Sequence, residues 1–409
     1  MNVNHINLKN GLKVCFIQDK SFNTVTIHLK GKAGSNLENK LQVGSAHILE
    51  HFYVSSNYGN KITSNGGKII GVTSRDDVLF MIKIPKENVI DGLEFLSKVF
   101  TKEAINLDDF NKLKQISLQE IKRIKNSPER ILGRFSCAAS FPKDRMSILN
   151  IGGERNLNNL RIKDVLDFRD LYYHPNNFTL VLSGNVTIRN VAPYIKKLFG
   201  DYQAGNVAKH LEHKTLSKLA VKSYKFKGTS QIAVKIDFYG FRTSDNKKYS
   251  SFIISNTLDM LLNKLIKEQL RATYTIRCVS FSSGSYGLFS IYFLCEKKDL
   301  NIILGEIKRN TINFSSLISL RSIESSKRRV LSNLSFEMEK VSVRAEYYSD
   351  LLSHGRKDQN YKYEINMISK CCLSDIKNIS KEIFSQNPKI TIVGENINEN
   401  EVKDIWIKS

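Results

Sequence analysis

Residues 47 to 51 read His-Ile-Leu-Glu-His. On a helix, residues four apart share a face, so His47 and His51 present two imidazoles to one point while Glu50 stands beside them. Such a pair suits zinc. In a hydrolytic site zinc takes three protein ligands and keeps a fourth position for water, whose pKa it lowers towards about 7. Glu50 has the chemistry to take that proton as general base and return it to a leaving amine. A third ligand must come from elsewhere in the chain, and Glu120 is the candidate, in the helical stretch Gln115-Ile116-Ser117-Leu118-Gln119-Glu120-Ile121. The competing reading is a helix whose two histidines are solvated or packed, with Glu50 as an i,i+3 partner.

These residues need elements to hold them. Val43 to Tyr53 has helical spacing, Val78 to Ile84 reads as a strand closed by Pro85, and Val89 to Phe100 as an amphipathic helix. A longer helix is predicted from Leu107 to Lys125, entered through Asn106 and the acidic pair Asp108-Asp109 and ended near Ser127-Pro128. Leu12 to Ile17 and Val25 to Leu29 alternate like strands. His28 falls on the second of these, as a core or sheet-face histidine rather than a ligand.

The chain also echoes itself. Asp164-Val165, Pro175, the run Phe178-Thr179-Leu180-Val181-Leu182 and Gly184 recur as Asp375-Ile376, Pro388, Ile390-Thr391-Ile392-Val393 and Gly394, at an offset of about 210 residues. Val25 to Leu29 leading to Gly34 is matched in the second half by Ile232 to Ile236 leading to Gly240. A period near half the chain length means a duplicated domain. The expected fold is α+β, with two homologous domains, each an antiparallel-rich sheet with helices packed on one face. The expected division is 1–202, a polar linker 203–218, and 219–409.

Several blocks surround the motif. Val25 to Gly34, with Ser35 and Glu38, leads through Gly44-Ser45-Ala46 into His47. Gly66-Gly67 leads through Val72-Thr73-Ser74-Arg75-Asp76 to Phe80, and Pro128 follows Leu118-Gln119-Glu120-Ile121. Further on stand Ile151-Gly152-Gly153, Tyr172-Tyr173, Pro175-Asn176-Asn177 and Val181-Leu182-Ser183-Gly184. Then Leu265-Ile266-Lys267-Glu268-Gln269 precedes Tyr274 and the run Gly287 to Tyr292. In order and spacing the chain resembles the inverzincin family, which includes pitrilysin, insulysin and the mitochondrial processing peptidase.

The resemblance implies His47, His51 and Glu120 as zinc ligands and Glu50 as base. It implies that an edge strand at Gly71, Val72, Thr73 and Ser74 receives substrate backbone by strand addition. It further implies that Lys267 and Tyr274 stand where the family's Arg and Tyr reach the scissile carbonyl and stabilise the oxyanion. Lys267 departs from the family by lacking the guanidinium fork. Leu113 stands where the family often has a second Glu, so that support for the ligands would come from another residue such as Asp109 or Glu129. Ile70-Gly71 replaces the usual Asn-Ala.

The implied function is a zinc-dependent endopeptidase acting in a closed chamber on peptides or leader and signal-type segments, including precursors of peptide natural products. A homodimer, or a heterodimer with a homologous chain, is the implied assembly. The alternative is a catalytically silent scaffold or partner subunit.

Composition narrows the field. With 41% hydrophobic residues among 409, and 6 Pro against 22 Gly, the chain is expected to be globular. Its net charge is +22, from 62 Lys+Arg against 40 Asp+Glu. The basic residues are scattered, as on solvated helix faces, which argues against a nucleic-acid partner. No apolar run approaches the ~18 residues of a membrane span, and the start has no apolar signal core. The six cysteines show no paired spacing and read as reduced thiols of a cytoplasmic protein.

Overall fold

Along Val78–Pro85 every second residue, Val78, Phe80, Ile82 and Ile84, is buried, while the residues between are half-buried. That is the period of a strand with one face on a core. A computed structural model of the chain describes residues 2–55, 59–209, 211–229, 231–356, 360–395 and 397–407. Its strands are β1 (Asn2–Asn7), β2 (Lys13–Gln18), β3 (Thr24–Gly31), β4 (Lys68–Thr73), β5 (Val78–Pro85), β6 (Phe178–Gly184), β7 (Ala220–Lys225), β8 (Ile232–Tyr239), β9 (Thr275–Ser282), β10 (Gly287–Cys295) and β11 (Lys389–Gly394). The principal helices are α1 (Ser45–Val54), α2 (Val89–Ser97), α3 (Leu107–Lys125), α4 (Pro128–Ser140), α5 (Lys247–Leu262), α6 (Val341–Ser353) and α7 (Leu373–Phe384).

Two compact units form. The first comprises residues 1–121, 149–211 and 335–360, the second 122–148, 212–334 and 361–409. The first holds a sheet of order β1-β2-β6-β3-β5-β4, the second a sheet of order β7-β11-β8-β10-β9. Apart from β1 the two orders are the same. In each sheet one pair is parallel, β2 with β6 and β7 with β11, and the other pairs are antiparallel. The repeat in sequence is therefore a repeat in topology, and the fold is α+β with two homologous halves.

In the first unit Leu29, Phe80 and Ile82 pack with Leu49 of α1, Leu93 of α2 and Phe168. In the second, Phe289, Ile291 and Ile390 pack with Ile253 and Leu258 of α5 and Ile383 of α7. Each such side chain contributes about 1.5–3 kcal/mol on burial. These cores lie on the main helical face of each sheet, and a single further helix covers part of the opposite face. On the first sheet it is α6, whose Ala345, Tyr348, Leu351 and Leu352 meet Cys15, Ile17 and Val181. On the second it is α4, whose Leu132 meets Ala233 and Val393.

Polar residues share those second faces. Lys30 of β3 pairs with Asp350 of α6 and with Asp77 at 3.2 Å. Asp237 of β8 accepts hydrogen bonds from Ser136 of α4 and from Ser290 at 2.5 Å, and lies 3.2 Å from Lys235. Among the described residues no helix is long and apolar enough to cross a membrane.

Candidate active site

Helix α1 starts abruptly. Gly44, at φ 103°, takes a left-handed conformation that favours glycine, and it offers the helix no side-chain cap. Glu38 supplies one from a distance. Its carboxylate accepts the Gly44 N–H at 3.1 Å and the Ala46 N–H at 2.9 Å, placing negative charge at the helix N-terminus. With Ile48, Leu49 and Tyr53 buried, α1 packs on β4, β5 and the helix Ile162–Tyr172. Its rotation is thereby set, and His47, Glu50 and His51 are held together. Helix α3 brings the fourth group: Phe110, Leu113, Ser117 and Ile121 form its buried stripe, and Glu120 precedes the last of them.

The donors converge. His47 Nε2 lies 3.0 Å from Glu120 Oε2 and 3.1 Å from His51 Nε2, and His51 Nε2 lies 3.4 Å from Glu120 Oε1. Two donors each about 2.0–2.1 Å from a tetrahedral zinc ion stand about 3.3 Å apart. The three spacings, those to Glu120 taken to the nearer carboxylate oxygen, are thus close to that edge length, and the two-imidazole, one-carboxylate set is of zinc-binding type. Among the described residues this is the one group of three His, Cys, Asp or Glu close enough to share an ion. Burial opposes charge on His47, yet its hydrogen bond to Glu120 and the nearness of Glu50 outweigh it and hold the imidazole pKa up at about 9. The hydrogen bonds from His47 and His51 hold Glu120 well below the usual carboxylate range. The cluster is thus a strong cation trap.

Glu50 is 6% exposed. One oxygen accepts the Thr73 hydroxyl at 3.1 Å and lies 3.4 Å from His47 Nδ1, which has no hydrogen-bond partner among the described residues. The other packs against Gly71 so closely that a Cβ there would stand 2.2 Å from it.

Gly71 and Thr73 lie on β4, the edge strand of the first sheet. Ser74 N–H bonds Asp77 C=O, and β4 pairs with β5 in the register Val72↔Leu79 and Thr73↔Val78. In such a ladder alternate residues turn both polar backbone groups outward, here Ile69, Gly71 and Thr73. Asn150 donates to the outward Thr73 C=O at 3.3 Å. Ile70 and Val72 expose 39% and 46% of their surface on the other face.

Two further sequence-derived candidates, Lys267 and Tyr274, belong to the second unit. Lys267 is exposed in a π-helical turn, Asn263–Gln269, which continues α5, and Tyr274 precedes β9 with 84% of its surface exposed. Leu113 is a core residue, Asp109 bonds Asn106 at the head of α3, and Glu129 accepts the Tyr292 hydroxyl at 3.4 Å. Sequence reasoning missed Glu38 as the cap of α1 and Thr73 as the partner of Glu50. The strand period, which puts residues 71 and 73 on one face, was the available signal. It also missed Asp144, His213 and Ser285, spaced at 2.9 and 3.2 Å like an acyl-transfer triad. Ser285 is 1% exposed, so no substrate carbonyl reaches it, and the group ties the segment at His213 to its neighbours.

An HxxEH helix, a glutamate on the next long helix and this repeated sheet are together the layout of a metallopeptidase of the inverzincin class. Residues 13–148 match the family described as insulinase (peptidase family M16), and residues 159–328 match the peptidase M16 inactive domain. An uncharacterized zinc protease of Rickettsia bellii is 22% identical over 97% of this chain and 98% of its own length. The mitochondrial-processing peptidase subunit beta of Rattus norvegicus is 21% identical over 81% of this chain and 72% of its own. A protease of Helicobacter pylori has a similar fold, with TM-score 0.88 and 18% identity over 96% of this chain and 99% of that one. The chain belongs to the M16 peptidase family.

Proposed function

We propose that this protein is a zinc-dependent endopeptidase that cleaves peptides, leader or signal-type segments included, bound as an added strand on β4. The observation that carries this reading is the convergence of His47, His51 and Glu120 at tetrahedral-edge spacing, with Glu50 beside His47 and next to an open strand edge. Zinc held by these three residues would acidify a water molecule and polarise a carbonyl.

The chain's own groups do the rest. The outward N–H and C=O groups of Gly71 and Ile69 hold the peptide extended, so that recognition is mainly of backbone. Glu50, shielded by β4 and His47, takes the proton of the attacking water and delivers it to the leaving amine. Lys267 supplies a positive charge and Tyr274 a hydroxyl donor for the oxyanion. A homologous chain, identical or different, completes a closed chamber around them, as the similarity to a subunit of the mitochondrial processing peptidase suggests. A cytoplasmic location fits the six unpaired cysteines.

The test compares the full chain with Glu50→Gln, measuring zinc content and the cleavage of unfolded peptides by mass spectrometry. One zinc in each, with cleavage by wild type alone, is expected. Wild type that carries zinc and cuts nothing, alone or with a homologous partner, would instead be a silent subunit.

A further inference from the structure

The strand that offers its edge to a peptide also touches the base. Side chains at positions 71 and 73 share one face of β4, the face turned to α1, while the same two residues turn their backbone groups to the open edge. On that face Thr73 Oγ1 donates to Glu50 Oε2 at 3.1 Å, and Gly71 leaves the space that Glu50 Oε1 fills. Asn150 holds the Thr73 C=O at 3.3 Å, so the residue is fixed from its backbone as well as its hydroxyl. Glu50 sits between this strand and His47, almost wholly out of solvent.

We propose that Thr73 is a positioning residue for Glu50: its hydroxyl fixes the carboxylate of the base from the strand that receives the peptide, coupling substrate seating to placement of the base. This rests on the peptidase reading above. A carboxylate on a side chain with three rotatable bonds has several places to go, and one well-aligned hydroxyl donor selects among them. A peptide added along Ile69, Gly71 and Thr73 stiffens β4, and with it the donor. Water activation is thereby restricted to the state in which a peptide lies in the groove. The added strand also ends at Thr73, whose carbonyl Asn150 already occupies.

The test uses the zinc-loaded full chain as wild type, Thr73→Val and Thr73→Ser, with an unfolded peptide that the wild type cleaves. In Thr73→Val kcat is expected to fall about tenfold or more, the scale of a misplaced reacting group, with KM within about threefold and zinc stoichiometry unchanged. Thr73→Ser, which keeps the hydroxyl, is expected to recover most of the loss. The proposal is overturned if Thr73→Val keeps its kcat, if the loss lies in KM alone, or if Thr73→Ser is as impaired as Thr73→Val. If zinc-loaded wild type cleaves nothing, the peptidase reading fails separately. Crystal structures then decide the positioning role: a Glu50 carboxylate displaced in Thr73→Val supports it, and an unchanged rotamer overturns it.

Discussion

His51 Nε2 lies 3.1 Å from His47 Nε2, and the carboxylate of Glu120 faces both. Imidazole nitrogens and a carboxylate aimed at one point are held there by a proton on His47 or, more strongly, by a metal ion that all three donors share. The arrangement should therefore be stabilised by metal. At zinc about 100-fold above its dissociation constant the folded state gains about 2.7 kcal/mol. Thermal unfolding should show a clear rise in midpoint when zinc is returned to chelator-treated protein, and almost none in Glu120→Ala. A wild type indifferent to zinc would remove the metal site.

Much of this was legible because it is periodic. Asn106, Asp108-Asp109 and Ser127-Pro128 bounded helix α3, the spacing of His47 and His51 put both on one face of α1, and the echo of β6 in β11 foretold a duplicated domain, seen in the shared strand order. What escaped lies between residues far apart in sequence. His28 reads from its strand as a core or sheet-face histidine and is buried, but what covers that face is α6, drawn from the other end of the chain, which buries Thr26 and Lys30 as well. Glu38 and Thr73 act through side-chain hydrogen bonds to α1, and the strand period gives the face of β4 on which Thr73 lies without naming its partner.

Gly71 should separate stability from turnover. A Cβ at this position would stand 2.2 Å from Glu50 Oε1 and 2.7 Å from Cδ and Cγ, all on one flexible side chain. In Gly71→Ala the glutamate moves and the backbone stays. Unfolding free energy should hold or rise by about 0.4–1 kcal/mol, as alanine restricts the unfolded chain. Cleavage should fall about tenfold or more with zinc retained. Full activity in this variant would mean that Glu50 works from another position.

The ion group under α6 should respond unequally to its members. Lys30 and Asp77 are 10% and 20% exposed at their side chains, Asp350 43%. Lys30→Met strands Asp77 without a counter-charge in a buried place, a loss of about 3–5 kcal/mol. Asp350→Ala leaves the Lys30–Asp77 pair intact and removes a partner that water partly screens, a loss of about 1 kcal/mol or less. Urea midpoints should follow that order, and the reverse order would contradict the assignment. Hydrogen exchange along Val341–Ser353 should quicken in Asp350→Ala, since that helix loses its polar tie to β3.

His28 should make the protein acid-sensitive. Its two ring nitrogens are buried without a hydrogen-bond partner among the described residues, in a strand flanked by Met81 and Val181. Burial, aided by the charges of Lys30 and Lys83, presses its pKa down to about 3. In the unfolded chain the same imidazole titrates near 6.5. Between those values the unfolded state binds a proton that the folded state refuses, so stability falls as pH drops from about 6.5 towards 3, by an amount on the order of 4 kcal/mol at the end of the window. His28→Leu removes both the proton and the unmet polar atoms. It should stabilise the chain by about 1–3 kcal/mol at neutral pH and by more at about pH 4.5, where the wild-type penalty has grown. Urea titrations of the two proteins at both pH values measure the difference, and an advantage that shrinks on acidification would show that His28 is charged in the folded protein.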